Sequence, residues 1–311
     1  MSARALVLSS SSFDVAQDDP ERVEGSNGEP ETRGATTMSP RAFLVVAAFL
    51  CSSCAPPLMK LPTGPGLPAA DAADALREAT EACQAVMSIT AEVAVSGSVG
   101  GHRLRVRLLA GLAAPESARL EAVAPFGQPV FIFVARNDDA ALLLPRDRRV
   151  LEHGRPDAVL EAVAGVPLDA ADLRMALTGC AAAPRASDAK QLGADWRLVP
   201  DGSSDVYLHR DSPTAPWRIV AAVHRGSGAT SWRSEYRDFQ TGGPAAGLPN
   251  TVRLSSIDGK QFDLRLALSQ VELNVALGAD VFRIQTPPGA EPITIDELKR
   301  SGPLSNPSSG Q

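Results

Sequence analysis

From Ile89 onward, apolar and polar positions alternate with a period of two, the signature of strands with one buried face. Ile89–Val99 places Ile89, Ala91, Val93 and Val95 on one side. His102–Leu109 sets Leu104, Val106 and Leu108 against Arg103, Arg105 and Arg107. The segments 117–124, 130–136, 140–144 and 149–153 continue the pattern, punctuated by Gly100-Gly101, Pro115, Pro125 with Gly127, Asn137-Asp138 and Pro145. Short alternating segments joined by turn residues predict an antiparallel meander.

Helical spacing interrupts this pattern in three places. Before the first strand, the segment 71–88 carries Leu76, Ala79, Cys83, Val86 and Met87 on one apolar face. After the meander, Pro156 suits a first helical turn, and Val159, Leu160 and Val163 follow at helical spacing. The segment 169–178 is a second short helix, with Gly179 placed as its stop. Strands resume at 196–199, 206–209, 217–224, 232–239, 251–256 and 262–273, and in the last Phe262, Leu264, Leu266 and Leu268 face one way. About a dozen strands close most of a barrel, and one of that size can enclose a cavity as well as a core. The fold class expected is mainly β with helices (α+β), an incomplete antiparallel β-barrel covered by about three helices around an apolar cavity.

The N-terminal pattern is different in kind. In Arg41–Cys54, one basic residue precedes the apolar run Ala42–Leu50, then come Ser52, Ser53 and Cys54. The run is shorter than the ~20 residues a spanning helix needs and matches a signal core of about 7–15 residues. Leu50 and the two serines before Cys54 resemble a lipobox, which implies acylation of Cys54 and cleavage before it. Cys51 is the alternative acceptor, and a buried strand or a soluble export signal is the alternative to a lipobox. Residues 1–37 are polar and acidic, and Met38-Ser39-Pro40-Arg41 forms an ordinary start, so 1–37 is expected to be a non-native extension and 38–53 the signal peptide. Residues 54–70 then form a lipidated Cys and Pro-rich tether, 71–292 the folded domain, and 293–311 a disordered tail.

Charge narrows the partners. Over 311 residues the formal net charge is −6, without a basic tract, and nucleic acid is not expected to bind. No phosphate-binding loop, dinucleotide fingerprint, nucleophile elbow or H-E-x-x-H motif is present, and His102, His153, His209 and His224 lack metal-ligand spacing. No catalytic residue, metal or cofactor is therefore expected. The row Arg103, Arg105 and Arg107 is either a solvated sheet face or a surface that meets anionic headgroups or another carrier.

Four passages carry a resemblance. They are Ala124-Pro125-Phe126-Gly127, Leu160 to Gly179, Gly247-Leu248-Pro249 to Leu268, and Phe282 to Ala290. In order and spacing they resemble the LolA/LolB family of periplasmic lipoprotein carriers, and the lipid anchor favours the LolB type. Ala176, where LolB often has Trp, and the stretch beyond Ala290 depart from that pattern. The resemblance implies a half-barrel whose apolar cavity takes acyl chains. The walls are expected from Val93, Val95, Leu104, Val106, Phe131, Phe133, Leu142, Leu144, Leu264 and Leu266. It also implies that Pro125, Phe126 and Gly127 form a protruding membrane-insertion loop; the alternative is that Phe126 folds back onto the core.

The implied protein is a monomer in the outer membrane, facing the periplasm through its N-terminal lipid. Its partners would be acylated lipoproteins or lipids and a LolA-like periplasmic carrier. Two alternatives stay open: a structural or assembly lipoprotein with a filled core, and a carrier of another lipid class. Cys83 and Cys180 remain after lipidation of Cys54, and an oxidising compartment permits them to pair or to stay buried as thiols.

Overall fold

The computed structural model describes residues 57–124, 129–180, 188–201, 204–225 and 231–301. Cys51, Cys54, Pro125, Phe126 and Gly127 lie outside them. Contacts separate Met1–Pro57 from Leu58–Gln311, and the second unit holds the whole fold described below. Its buried apolar cluster runs from Ala72 to Leu298, so the core is complete without the residues before Leu58.

The strands are β1 (Leu67–Pro68), β2 (Ser88–Val99), β3 (His102–Ala113), β4 (Ser117–Val123), β5 (Phe131–Arg136), β6 (Asp139–Leu144) and β7 (Arg149–Leu151) in the first half. They continue as β8 (Lys190–Gln191), β9 (Trp196–Asp201), β10 (Ser204–His209), β11 (Arg218–His224), β12 (Trp232–Phe239), β13 (Pro249–Ser256), β14 (Phe262–Leu273) and β15 (Glu291–Pro292). All belong to one 15-stranded open sheet in the order β1-β8-β9-β10-β11-β12-β13-β14-β2-β3-β4-β5-β6-β7-β15. The chain enters the middle of the sheet at β2, walks out to β7, crosses through two helices, and walks back from β8 to β14. The seam β14·β2 joins the two meanders, with Leu264↔Gly97, Leu266↔Val95 and Leu268↔Val93 in register. The pairings are antiparallel except β15 with β7.

Among the described residues, four α-helices accompany the sheet: α1 (Ala72–Gln84), α2 (Pro156–Ala164), α3 (Ala170–Thr178) and α4 (Ile295–Ser301). The first packs on β9, β10 and β11, the second on β6 and α4, and the third on β3, β4 and β13, so α3 spans both meanders. Asp71, just before α1, receives two 2.7 Å hydrogen bonds from Arg197, whose side chain is 5% exposed. The Arg197 guanidinium holds the Asp71 carboxyl below the usual range and lies over the Trp217 ring.

Three expectations need correction. The 54–70 tether is not loose in its second half: Leu67–Pro68 pairs with Lys190–Gln191, and Met59 hydrogen-bonds Arg233 and Glu235 on the sheet. The tail expected from 293 contains α4, whose Leu298 is fully buried, while Thr294 and Glu297 cap its start reciprocally. A helix of seven residues is too short to show a period against a Pro/Ser-rich background. The first helix ends at Gln84, so Met87 does not belong to its apolar face and is 62% exposed.

Candidate lipid-binding site

The period-two pattern sends one side chain in two to the inner face, where the helices lie. Val93, Val95, Phe131, Phe133, Leu142, Leu144, Leu264 and Leu266 are all buried members of a single apolar cluster. Leu104 and Val106 are partly buried and pack against it. The structure brings all ten expected wall residues onto one inner surface, but as packed core; of the ten, Leu104 lines the cleft described below. Register explains the continuity: Val93↔Leu108, Leu108↔Ala122 and Ala122↔Phe131 form one row, and Val106↔Val95, Val95↔Leu266 and Leu266↔Val252 another.

The surface is occupied by the protein's own helices. Leu173 and Leu177 of α3, and Val159, Leu160 and Val163 of α2, are buried in the same cluster. Uncovered apolar surface remains at the β2–β3 hairpin end. There a cleft of about 160 Å³ is lined by Val99, Leu104 and residues 162–165, with His102, Arg103, Glu161 and Lys299 on its rim. Ligand pockets generally measure ~300–1,000 Å³, so the cleft is smaller than an ordinary ligand pocket. Gly165 ends α2 at φ 70, and a Cβ there would lie 2.3 Å from Val99 Cγ1, so helix and hairpin touch at this mouth.

Several bonds govern how the helices can move. Cys83 on α1 and Cys180 just after α3 form a disulfide with their Cα atoms 5.6 Å apart. Tyr236 Oη donates to the Met175 carbonyl at 3.2 Å, and burial raises the Tyr236 phenol. Arg174 donates to the Val86 carbonyl. At the opposite end of α3, Asp169 and Asp172 form a reciprocal capping box. Burial, and then the Asp169 charge, push the Asp172 carboxyl up to about 7. The N-terminus of the helix in the half-barrel is therefore held by a carboxyl that titrates near neutrality.

The histidines stay apart. His153 lies 2.9 Å from Asp139 on the exposed surface, and His209 lies 3.6 Å from Asp211. His224 is buried and stacks on Trp232 with ring centroids 3.7 Å apart. It sits 3.4 Å from Ser234 Oγ, and burial lowers it to about 4. Among the described residues, no three His, Cys, Asp or Glu side chains are placed to hold a metal, and no helix is long and apolar enough to cross a membrane.

Helices covering the sheet were expected from the pattern; which strands they pack on was not. The apolar face of α3 was legible, but its place between β3, β4 and β13 depends on contacts distant in sequence. The Thr294-x-x-Glu297 cap was the one signal for the covering helix α4.

No protein-family model and no curated protein matches the sequence. Solved structures do. A LolA-superfamily protein from Nitrosomonas europaea aligns with a TM-score of 0.50 at 13% identity, over 68% of this chain and 97% of that one. A DUF1329-family protein from Desulfovibrio piger aligns at 0.48 and 10% identity, over 70% and 97%. A domain described as an outer-membrane lipoprotein-sorting protein, from Vibrio parahaemolyticus, aligns at 0.43 and 12% identity, over 68% and 96%. The likeness to the Nitrosomonas protein establishes the fold, an open curved sheet with helices on its inner face.

Proposed function

We propose that this chain is an outer-membrane lipoprotein, anchored through acylated Cys54, that takes acyl chains into its half-barrel and receives or inserts lipoproteins in the manner of LolB. The observation carrying this reading is the inner face. Its apolar rows are continuous across the seam of the two meanders, and the apolar Val99 and Leu104 open to a cleft where α2 meets the β2–β3 hairpin. Two short helices fill the remainder.

The exchange needs no covalent step. An entering chain gains roughly 0.8 kcal/mol per buried CH₂, offset by what is lost when α2 and α3 leave the inner face. Because the two costs are similar in kind, uptake and release can run near balance, which a handover between carrier and membrane requires. The charged residues Glu161 and Lys299 beside the cleft would meet the cargo's polar end in water. Phe126, between Pro125 and Gly127 in sequence, would then enter the membrane during delivery. The test is transfer of a radiolabelled acylated lipoprotein from a LolA-type carrier to vesicles. The reading expects the protein to speed transfer and a Phe126→Glu variant to slow it without loss of the fold. Absence of any acceleration overturns it.

A second reading is favoured by the packing itself. Eight of the ten wall residues are buried in the apolar cluster that also holds helix residues, which is what a structural lipoprotein with a permanently filled core would show. The two readings part on whether the helices can be displaced.

A further inference from the structure

We propose that the outer face of strands β12, β13, β14, β2 and β3 is the surface this protein lays against an anionic membrane, with phospholipid headgroup phosphates as its ligands. The proposal rests on the reading that Cys54 carries the lipid anchor.

The first observation is the register. On the outer face, Glu235 lies opposite Arg253, Arg253 opposite Arg265, Arg265 opposite Ser96, and Ser96 opposite Arg105. The flanking rows end in Arg233 and Arg103 on one side, and in Arg237 and Arg107 on the other. Adjacent strands are about 4.8 Å apart, so the register spreads these arginines over roughly 19 Å; Arg233 and Arg253 are mostly buried, at 13% and 16% exposed, and Arg103, Arg105, Arg107 and Arg265 present the exposed part of the belt. The carboxylates here are already engaged: Glu235 pairs with Arg233 and Arg237, Asp263 with Arg253, and Glu92 with Arg107. Among the described residues, Arg103, Arg105 and Arg265 make no ion pair, and all three are exposed. Such a concentration of positive charge is unexpected in a chain with a net charge of −6, and a one-signed surface attracts the opposite sign from a distance.

The second observation is where the chain reaches this face. The Met59 N–H donates to Glu235 Oε1 at 2.9 Å, and Arg233 donates to the Met59 carbonyl at 2.5 Å. The segment leading to the anchor is therefore strapped onto the arginine belt, not onto the helical side. Met59 lies five Cα–Cα steps from Cys54, and a chain of that length spans at most about 18 Å. Acyl chains on Cys54 must enter the leaflet within that radius of the belt. Leu58, beside the strap, is 37% exposed and offers an apolar side chain at the same place. The consequence for cargo is geometric: with this face on the membrane, the cleft at the hairpin end lies at the margin of the contact and the helices face the periplasm.

The experiment uses residues 55–311, which contain the complete core but no lipid, in flotation with vesicles of phosphatidylcholine alone or mixed with phosphatidylglycerol. Binding to the mixed vesicles only, lost at high salt, is expected, because screening removes interactions of exposed charges. Each basic residue near an anionic leaflet strengthens partitioning about fivefold. An Arg105→Glu/Arg265→Glu variant, which leaves the cleft residue Arg103 in place, should therefore bind at least about 25-fold less. The corresponding double Gln variant keeps the test open if the Glu variant misfolds. Equal binding to both vesicle types, or binding unchanged in the variants, overturns the proposal. Binding to neither overturns it too and leaves the face to a protein partner. Uptake of a fluorescent fatty acid is read on the same samples. Vesicle binding without uptake would sink the carrier reading and spare this one; uptake without vesicle binding would do the reverse.

Discussion

Cys83 and Cys180 stand 97 residues apart in sequence and are joined by a disulfide, with their Cα atoms 5.6 Å apart. The bond ties the helix packed on the second meander to the C-terminal end of the helix that plugs the half-barrel. In the chain-entropy model, closing a loop of about 100 residues restrains the unfolded chain by about 4–5 kcal/mol. Cys83→Ser or Cys180→Ser should lower unfolding stability by that order, and reductant should do the same to the wild type. Denaturant titration with and without reductant checks this. If the bond also confines α3, the reduced protein should take up acyl probes faster.

The Asp172 carboxyl, raised to about 7, makes α3 sensitive to pH. Its folded-state pKa lies above its unfolded value of about 4. The contribution is therefore fully present below about pH 4 and lost as pH rises through about 7. His224, lowered to about 4 by burial, acts in the opposite direction: its stability is lost as pH falls below about 6.5. The informative quantity is thus the difference between Asp172→Asn and wild type. The variant should melt higher than wild type at pH 8, with the advantage shrinking towards pH 5. A pH-independent difference would rule out Asp172 as the titrating group.

Gly97 sits on the seam between the two meanders at φ +146, and a Cβ there would lie 2.0 Å from the Asp263 carbonyl oxygen. Strand β14 can approach β2 this closely only because the side chain is missing. Gly97→Ala should cost on the order of 1–3 kcal/mol, read as a fall in the thermal midpoint. Gly101→Ala, in a hairpin turn with open space around it, is the comparison that should cost less.

Leu104 is a partly buried side chain lining the cleft. Leu104→Glu would place a carboxylate in the path of an entering acyl chain, and an unpaired charge in an apolar site is strongly disfavoured. Fluorescent fatty-acid affinity should fall about tenfold or more, with the melting temperature little changed because the position is partly solvated. An unchanged affinity would place the entry elsewhere.

Much of the fold was legible because alternation is a local property. The inward set Phe262, Leu264, Leu266 and Leu268 was readable from four alternate positions in one short segment, and all four are buried. Sequence does not encode the meeting of β14 with β2 in any single segment, so the open sheet followed from the meander pattern while its seam did not. Short pairings such as Leu67–Pro68 with Lys190–Gln191 have no period to detect. The inner wall followed from the same alternation. That helices occupy it, and that Met59 straps across the outside, depend on contacts as distant as Met59 to Glu235.

The central claim is that the helices on the inner face yield to an acyl chain. Native mass spectrometry tests it most directly, on the protein without its own lipid, purified from a Gram-negative periplasm. The account predicts added mass from a bound lipid or acylated protein, or uptake of one acyl probe per chain when the purified form is empty. A clean apo mass that takes up no probe, with the disulfide intact or reduced, would contradict it and leave a core that is permanently filled.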